Sequence, residues 1–179
     1  MIPKYARLEH ERRWLVDLAA LPDLPSFPRR LIEDHYLEGA RLRLRAVTGS
    51  CGEARVFKLC KKYPSDDPLS GPITNLYLDG VEYDLLSTLP GRSIRKQRHT
   101  VIDADLAWSV DVFLDALDGL IMAEIEGASR RAVRAVTPPS WAVQEVTGDP
   151  FFTGGKLCGI NQRQLLDRLV TTTRSGSRI

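Results

Sequence analysis

The chain has little of what disulfide scaffolds and membrane spans are made from. Its 179 residues include only three cysteines, Cys51, Cys60 and Cys158, an odd number without the spacing of metal ligands. This favours a reducing compartment over a disulfide framework. No apolar run approaches the roughly 18 residues that a membrane helix needs. Charged residues also interrupt the first dozen positions, where a signal peptide would be apolar. We therefore expect a soluble, cytoplasmic protein that makes no membrane contact.

The chain also lacks an excess of charge of either sign. Its formal net charge is +2, so the overall balance gives no reason to expect nucleic acid as a partner. The charges are unevenly distributed: basic residues cluster at 41–45, 58–62 and 92–98, and acidic residues near 9–11 and 124–126. The basic stretch 92–98 has none of the interleaved aromatic side chains on which bases stack. We expect a small charged ligand and no nucleic acid.

The chain instead contains short segments in which charged and apolar side chains alternate. The first covers residues 9–16, where Glu9, Glu11 and Arg13 share one face of a strand because side chains alternate with a period of two. The two carboxylates then lie roughly 7 Å apart, so their oxygens can share one divalent cation, with the arginine holding an anion beside it. A solvated edge strand would also carry such an octapeptide, so this segment alone leaves both readings open.

The same alternation returns in several later segments. Residues 41–45 alternate strictly between arginine and leucine, and the pattern continues through 92–102, 107–114 and 120–126. Short turns join seven or eight such segments, and only a few stretches have a helical period. This favours a mainly β fold, an antiparallel sheet that closes on itself with a few flanking helices, over repeated βαβ units.

If the strands are in phase, one face of the sheet is charged. That face carries Glu9, Glu11, Asp111, Glu124 and Glu126 together with Arg13, Arg43, Arg45, Lys58, Lys62, Lys96 and Arg98. A barrel lined with charges needs a ligand, because unpaired ions in a narrow lumen cost several kcal/mol each. Carboxylates opposite cations suit a polyanion bound through Mg²⁺ or Mn²⁺. The alternative is a sheet whose charged face is solvated and ion-paired, with helices covering the apolar face.

In order along the chain, these segments resemble the motifs of the CYTH superfamily, the triphosphate tunnel metalloenzymes. The similar segments are residues 9–13 (E-x-E-x-K), 41–45 (L-R-x-R), 58–62 (a lysine strand), 96–98 (K-x-R), 110–113 (V-D-V-F), 123–126 (A-E-x-E) and 145–149 (E-V-T-x-D). Each motif is short, but their common order over about residues 8–158 makes the resemblance specific.

The length predicts one domain over residues 1–179, and apolar residues on one side predict a terminal helix at about 161–173. The resemblance implies an eight-stranded antiparallel tunnel with a charged lumen. It implies hydrolysis of a triphosphate, with inorganic triphosphate as the favoured small-molecule substrate and Mg²⁺ or Mn²⁺ as cofactor. The acidic catalytic group and metal ligands would come from Glu9, Glu11, Glu124 and Glu126, with Asp111 in the catalytic group. The phosphate-binding group would be Arg13, Arg43, Arg45, Lys58, Lys62, Lys96 and Arg98. A water molecule aligned by the acids would attack the terminal phosphorus in line.

Three departures from the family pattern leave alternatives open. Arg13 replaces the usual lysine, Asn75 and Tyr77 lie where glutamates are usual, and Ser109 lies where an acid is frequent. Fewer carboxylates leave one or two metal ions possible. The alternatives are a non-catalytic polyphosphate-binding module, a thiamine triphosphatase and an adenylate cyclase of the same family. Either a monomer or a homodimer is compatible with the sequence.

Overall fold

A computed structural model describes residues 3–21, 24–50 and 53–176, with side chains described as far as residue 172. Cys51 lies outside the described residues. The strands are β1 Arg7–Val16, β2 Arg29–Leu37, β3 Leu42–Thr48, β4 Val56–Lys62, β5 Ser70–Leu78, β6 Gly91–Asp103, β7 Leu106–Phe113, β8 Ile121–Glu126 and β9 Ala142–Glu145. The α-helices are α1 Gly80–Ser87, α2 Arg130–Arg134, α3 Gly154–Leu157 and α4 Gln162–Gly176.

Eight of these strands form a closed antiparallel barrel, which confirms the predicted fold class. The strands lie in the order β5-β4-β3-β2-β6-β7-β8-β1, and a further pairing of β5 with β1 closes the ring. Strand β1 closes the barrel because it is long. Its first half pairs with β5 from Arg7 to His10, and its second half pairs with β8 from Glu11 to Leu15. The short strand β9 adds to the end of β1 outside the ring.

The outer face of one half of the barrel is covered by an apolar cluster. The ring centroid of Trp108 lies 5.3 Å from that of Trp14 and 5.3 Å from that of Trp141, both edge-on. Val110 and Ile125 belong to the same cluster and are buried. These residues alternate with the charged residues of β1, β7 and β8, so apolar side chains point outward here while charged ones point inward.

A second apolar cluster fills part of the barrel interior at one end. Leu15, Ile94, Phe113 and Met122 continue the inward faces of four strands, and the chain after β9 covers them with Phe152, Leu157 and Leu165. Leu165, the first leucine of α4, is fully buried, whereas Leu166 remains about half exposed. The interior is therefore apolar beneath the C-terminal segment and charged beyond it. Within the described ranges, no helix combines the length and apolarity that a membrane crossing requires.

Candidate active site

The inward faces of the strands enclose one cavity of about 560 Å³. Eleven of the twelve charged residues predicted for the tunnel face line it: Glu9, Glu11, Arg13, Arg43, Arg45, Lys62, Lys96, Arg98, Asp111, Glu124 and Glu126. The turn between β2 and β3, the loop between β4 and β5, and residues 152–155 border the cavity at the end where those strands meet the C-terminal segment. The alternation pattern therefore brought side chains from six separate strands into one site.

Lys58 differs from the other eleven residues. It has the predicted phase, since its register partners are Arg45 and Tyr77, but it does not line the cavity. Its Nζ lies 5.0 Å from the centroid of the Tyr77 ring, a cation–π contact. Alternation determines which face a side chain occupies, but not its position along the barrel axis.

On one side of the cavity, the cations of β6 are held by Asp111 on β7. Lys96 Nζ donates to Asp111 Oδ2 at 2.6 Å, and Arg98 donates to both oxygens of the same carboxylate at 2.7 Å. Burial alone would raise the pKa of Asp111, but the charges of Arg98 and Lys96 outweigh it and hold that pKa well below its usual range. Asp111 is therefore ionised, and both of its oxygens are engaged in positioning cations.

A second buried acid, Asp34 on β2, holds the cations of β3 in the same way. Arg45 donates from Nε to Oδ1 at 2.6 Å and from Nη2 to Oδ2 at 2.8 Å, and Arg43 Nε lies 3.4 Å from Oδ1. Burial would raise the pKa of Asp34, but the charges of Arg45 and Arg43 lower it to about 2. Asp34 was not among the residues predicted from the sequence. Its signal is its position on the inward face of β2, directly opposite Arg45.

The acidic side of the cavity, on β1 and β8, is arranged differently. Glu11 lies directly opposite Glu126 in the strand register, and like charges in that position destabilise a sheet. Burial, and next the charge of Glu124, raises the pKa of Glu11. The same two causes raise the pKa of Glu126. Lys62 partly offsets the repulsion, because its Nζ lies 2.8 Å from Glu9 Oε2 and 3.2 Å from Glu11 Oε1.

Arg13 joins this acidic strand to the C-terminal segment. Its guanidinium donates to the carbonyl oxygens of Phe152 at 2.9 Å and Thr147 at 3.2 Å, and its backbone N–H donates to Thr147 Oγ1 at 3.0 Å. Thr147 in turn donates to Glu145 Oε1 at 2.7 Å, and Arg12 donates to both oxygens of Glu145. The E-V-T-x-D turn thus fixes the tunnel wall to the segment that covers the apolar end.

The carboxylates of β1 and β8 suit a divalent cation that is held partly by the protein and partly by a bound substrate. Among the described residues, no three His, Cys, Asp or Glu side chains converge into a complete metal site. Mg²⁺ rarely needs one, because it is usually held by one or two carboxylates and completes its shell with substrate phosphate oxygens and water. Glu9, Glu11, Glu124 and Glu126 offer such carboxylates. Glu124 is the best compensated of them, since Arg98 Nη2 lies 3.7 Å from its Oε1. Burial would raise the pKa of Glu124, but the charge of Arg98 outweighs burial and lowers it. The residues present fit a divalent cation.

Fold and site together define a class: closed antiparallel tunnels with acids on one wall and fixed cations on the other. No family model matches the sequence. A stretch of 64 residues, 36% of this chain, is 39% identical to an inorganic triphosphatase of Acetivibrio thermocellus and spans 40% of that protein. The crystal structure of the inorganic triphosphatase NE1496 is similar at 25% identity with a TM-score of 0.55, over 84% of this chain and 93% of that chain.

A putative adenylate cyclase of Bacillus halodurans shares the fold at 17% identity, with a TM-score of 0.50 over 73% of this chain and 86% of that one. The closed tunnel has the fold of the inorganic triphosphatase NE1496, and the chain spans 40% of the length of the curated relative that it matches. In its fold and in the order of its motifs, the chain resembles the CYTH superfamily, the triphosphate tunnel metalloenzymes.

Proposed function

We propose that this chain hydrolyses a triphosphate with the help of Mg²⁺ or Mn²⁺, and that inorganic triphosphate is its substrate. One observation carries the proposal: carboxylates of β1 and β8 share a cavity with guanidinium and ammonium groups that buried aspartates hold in place. Two relatives named inorganic triphosphatase support it.

The charge balance of the cavity is the reason to expect metal dependence. Its lining contains as many acids as bases: Glu9, Glu11, Asp34, Asp67, Asp111, Glu124 and Glu126 against Arg13, Arg41, Arg43, Arg45, Lys62, Lys96 and Arg98. A triphosphate carries several negative charges, so binding it alone would leave the cavity strongly negative. Uncompensated charge in a partly dehydrated site is costly, and a divalent cation bound with the substrate removes that cost.

The basic wall contributes mainly through positioning. Arg43, Arg45 and Arg98 present guanidinium groups, which match phosphate oxygens in pairs. Because Asp34 already fixes Arg45 and Asp111 already fixes Arg98, little reorganisation of these two groups is needed when charge shifts toward the phosphate oxygens in the transition state. We assign the alignment of the attacking water, and the acceptance of its proton, to the acidic group that contains Glu124 and Glu126. A divalent cation held by Glu9, Glu11 and this group would polarise the phosphate and acidify that water.

Phosphate release from inorganic triphosphate, measured with Mg²⁺ and with Mn²⁺, tests the proposal. We expect turnover by the unaltered chain, and a loss of at least about a hundredfold for Glu11→Gln and for Glu126→Gln, because each removes a carboxylate from the acidic group. The matched control is Glu33→Gln, since Glu33 lies on the outer face of β2 and pairs with Arg55. Parallel assays with thiamine triphosphate, ATP and longer polyphosphate identify the branch of the family. Absence of turnover on all four substrates would overturn the proposal.

The second candidate is a binding module that holds a polyphosphate without hydrolysing it. The inward face of β5 favours it, because Ile73, Asn75 and Tyr77 add no carboxylate to the tunnel. Ser109, opposite Glu124, likewise adds none. Tight binding of triphosphate with no phosphate release under either cation would select the module.

A further inference from the structure

We propose that Lys62 competes with the divalent cation for Glu9 and Glu11, and that it thereby couples cation binding to phosphate binding. The inference rests on the proposed function, since it concerns the order in which the same site is filled. Nothing in the family resemblance assigns this role, which follows from the contacts of Lys62.

Lys62 differs from Arg45 and Lys96 in what holds it. Arg45 is fixed by Asp34, and Lys96 is fixed by Asp111, both on the basic side. Lys62 instead reaches the acidic side, where its Nζ lies 2.8 Å from Glu9 Oε2 and 3.2 Å from Glu11 Oε1. These are the oxygens that the proposed function assigns to the divalent cation.

The strand register explains how Lys62 reaches that far. Lys62 belongs to β4, and β5 lies between β4 and β1 in the sheet. The residue of β5 directly opposite Glu9 is Gly71, which has no side chain to stand between them. The carboxylates are mostly covered, with 14% of each side chain exposed, whereas 52% of the Lys62 side chain is exposed. The lysine is thus the partner that has room to move.

For electrostatic reasons, Lys62 and a divalent cation compete for the carboxylates of Glu9 and Glu11. A divalent ion attracts the two carboxylates more strongly than an ammonium group does, and the ammonium group is on a flexible four-carbon chain. Once displaced from Glu9 and Glu11, Lys62 still lines the cavity and can bind a phosphate oxygen instead. Phosphate that attracts Lys62 likewise frees the two carboxylates for the cation. By linkage, each ligand must then strengthen the binding of the other.

Lys62 carries the charge that this competition needs. It is an amine that lies within ion-pair distance of two carboxylates, and a lysine is a cation at neutral pH.

Titration calorimetry with Mn²⁺ alone tests the competition without any turnover. We expect Lys62→Gln to bind Mn²⁺ about fivefold more tightly than the unaltered chain, because a partly exposed ion pair no longer competes. Lys61→Gln is the matched control, since it removes the same charge from the next residue, which is exposed and does not line the cavity. Lys62→Arg, which keeps the charge, should bind Mn²⁺ as the unaltered chain does. Circular dichroism establishes that each variant is folded.

A second titration measures the coupling itself. Mn²⁺ is titrated with and without the non-hydrolysable anion diimidotriphosphate, and the ratio of the two affinities is the coupling factor. We expect that factor to be about fivefold smaller in Lys62→Gln than in the unaltered chain.

The outcomes separate this inference from the proposed function. If the unaltered chain binds Mn²⁺ and Lys62→Gln binds it equally or more weakly, the competition is overturned while the proposed function stands. An unaltered chain that binds no Mn²⁺ and hydrolyses no triphosphate overturns both.

Discussion

The two walls of the tunnel, the basic wall with the cations of β3 and β6 and the acidic wall with the carboxylates of β1 and β8, differ in how their charges are balanced. On the basic wall, each buried aspartate neutralises cations of a neighbouring strand: Asp34 those of β3, and Asp111 those of β6. On the acidic wall, Glu11 lies opposite Glu126, with Lys62 as the nearest counter-charge on Glu9 and Glu11. The aspartates thus hold cations of the basic wall in place, whereas Glu11 and Glu126 of the acidic wall face each other.

This difference separates residues that hold the fold from residues that hold the ligand. An acid whose pKa is lowered by a paired cation stabilises the folded chain, and removing that acid should lower the free energy of unfolding. An acid whose pKa is raised by its neighbours is a liability to the fold, so removing it should cost activity but not stability. The following substitutions test that contrast.

The largest loss of stability is expected for Asp111→Asn. Lys96 would remain buried without its paired carboxylate, and Arg98 would keep only Glu124 at 3.7 Å. Breaking one side of a buried ion pair typically costs about 3 kcal/mol or more. Urea denaturation followed by circular dichroism measures the change, with the exposed turn residue Asp118→Asn as control. A variant as stable as the unaltered chain would mean that the basic wall does not depend on its aspartates.

A smaller loss with a defined pH dependence is expected for Asp34→Asn. The pKa of Asp34 is about 2 in the folded chain against an ordinary value of 3.8. A lowered pKa contributes stability that is complete above the ordinary value and is lost as the pH falls toward 2. At pH 7 this contribution is about 2 kcal/mol. The stability difference between the variant and the unaltered chain, followed from pH 7 to pH 2, should shrink below pH 4. A difference that stays constant over that range would show that Asp34 acts by packing alone.

The sequence predicted which side chains face the cavity, because the alternation of side chains along a strand depends only on neighbouring residues. Glu9 and Glu11 on β1, and Glu124 and Glu126 on β8, face the cavity as the period of two requires. The number of strands and their short turns favoured a closed sheet, and the order of the motifs supported it, since alternation alone also fits an open sheet with a solvated face.

What the sequence could not supply depends on position along the barrel and on partners from distant strands. Lys58 has the phase of Lys62, yet it lies beyond the cavity beside Tyr77. Asp34 gains its role only because β3 places two arginines next to it. In α4, Leu165 is buried while Val170 is half exposed, because the contact surface beneath this helix is narrower than its apolar stripe.

A substitution of Arg13 tests whether this residue of the acidic strand holds the fold or the ligand. It belongs to the acidic strand, but its guanidinium is held by the carbonyl oxygens of Phe152 and Thr147. An ammonium group cannot donate to both carbonyls from two separate nitrogens, so Arg13→Lys should lower the free energy of unfolding by about 1 kcal/mol. Thermal denaturation measures this loss. The control is Arg131→Lys, at an exposed position of helix α2. An unchanged melting temperature would assign Arg13 to ligand binding rather than to anchoring the C-terminal segment.

The smallest change, and the one of opposite sign, is expected for Glu126→Gln. Burial and the charge of Glu124 raise the pKa of Glu126, and Glu11 lies directly opposite it. Replacing this carboxylate with a neutral amide of the same shape removes a like-charge contact, so the free energy of unfolding should rise by about 0.5 kcal/mol when divalent cations are chelated. Added Mn²⁺ should stabilise the unaltered chain and narrow or reverse that gain, since binding to the folded state adds stability. Urea denaturation with EDTA and with Mn²⁺ gives both values.

If Glu126→Gln were as destabilising as Asp111→Asn, the two walls would not differ in kind, because the acids of β1 and β8 would then hold the fold as the aspartates do.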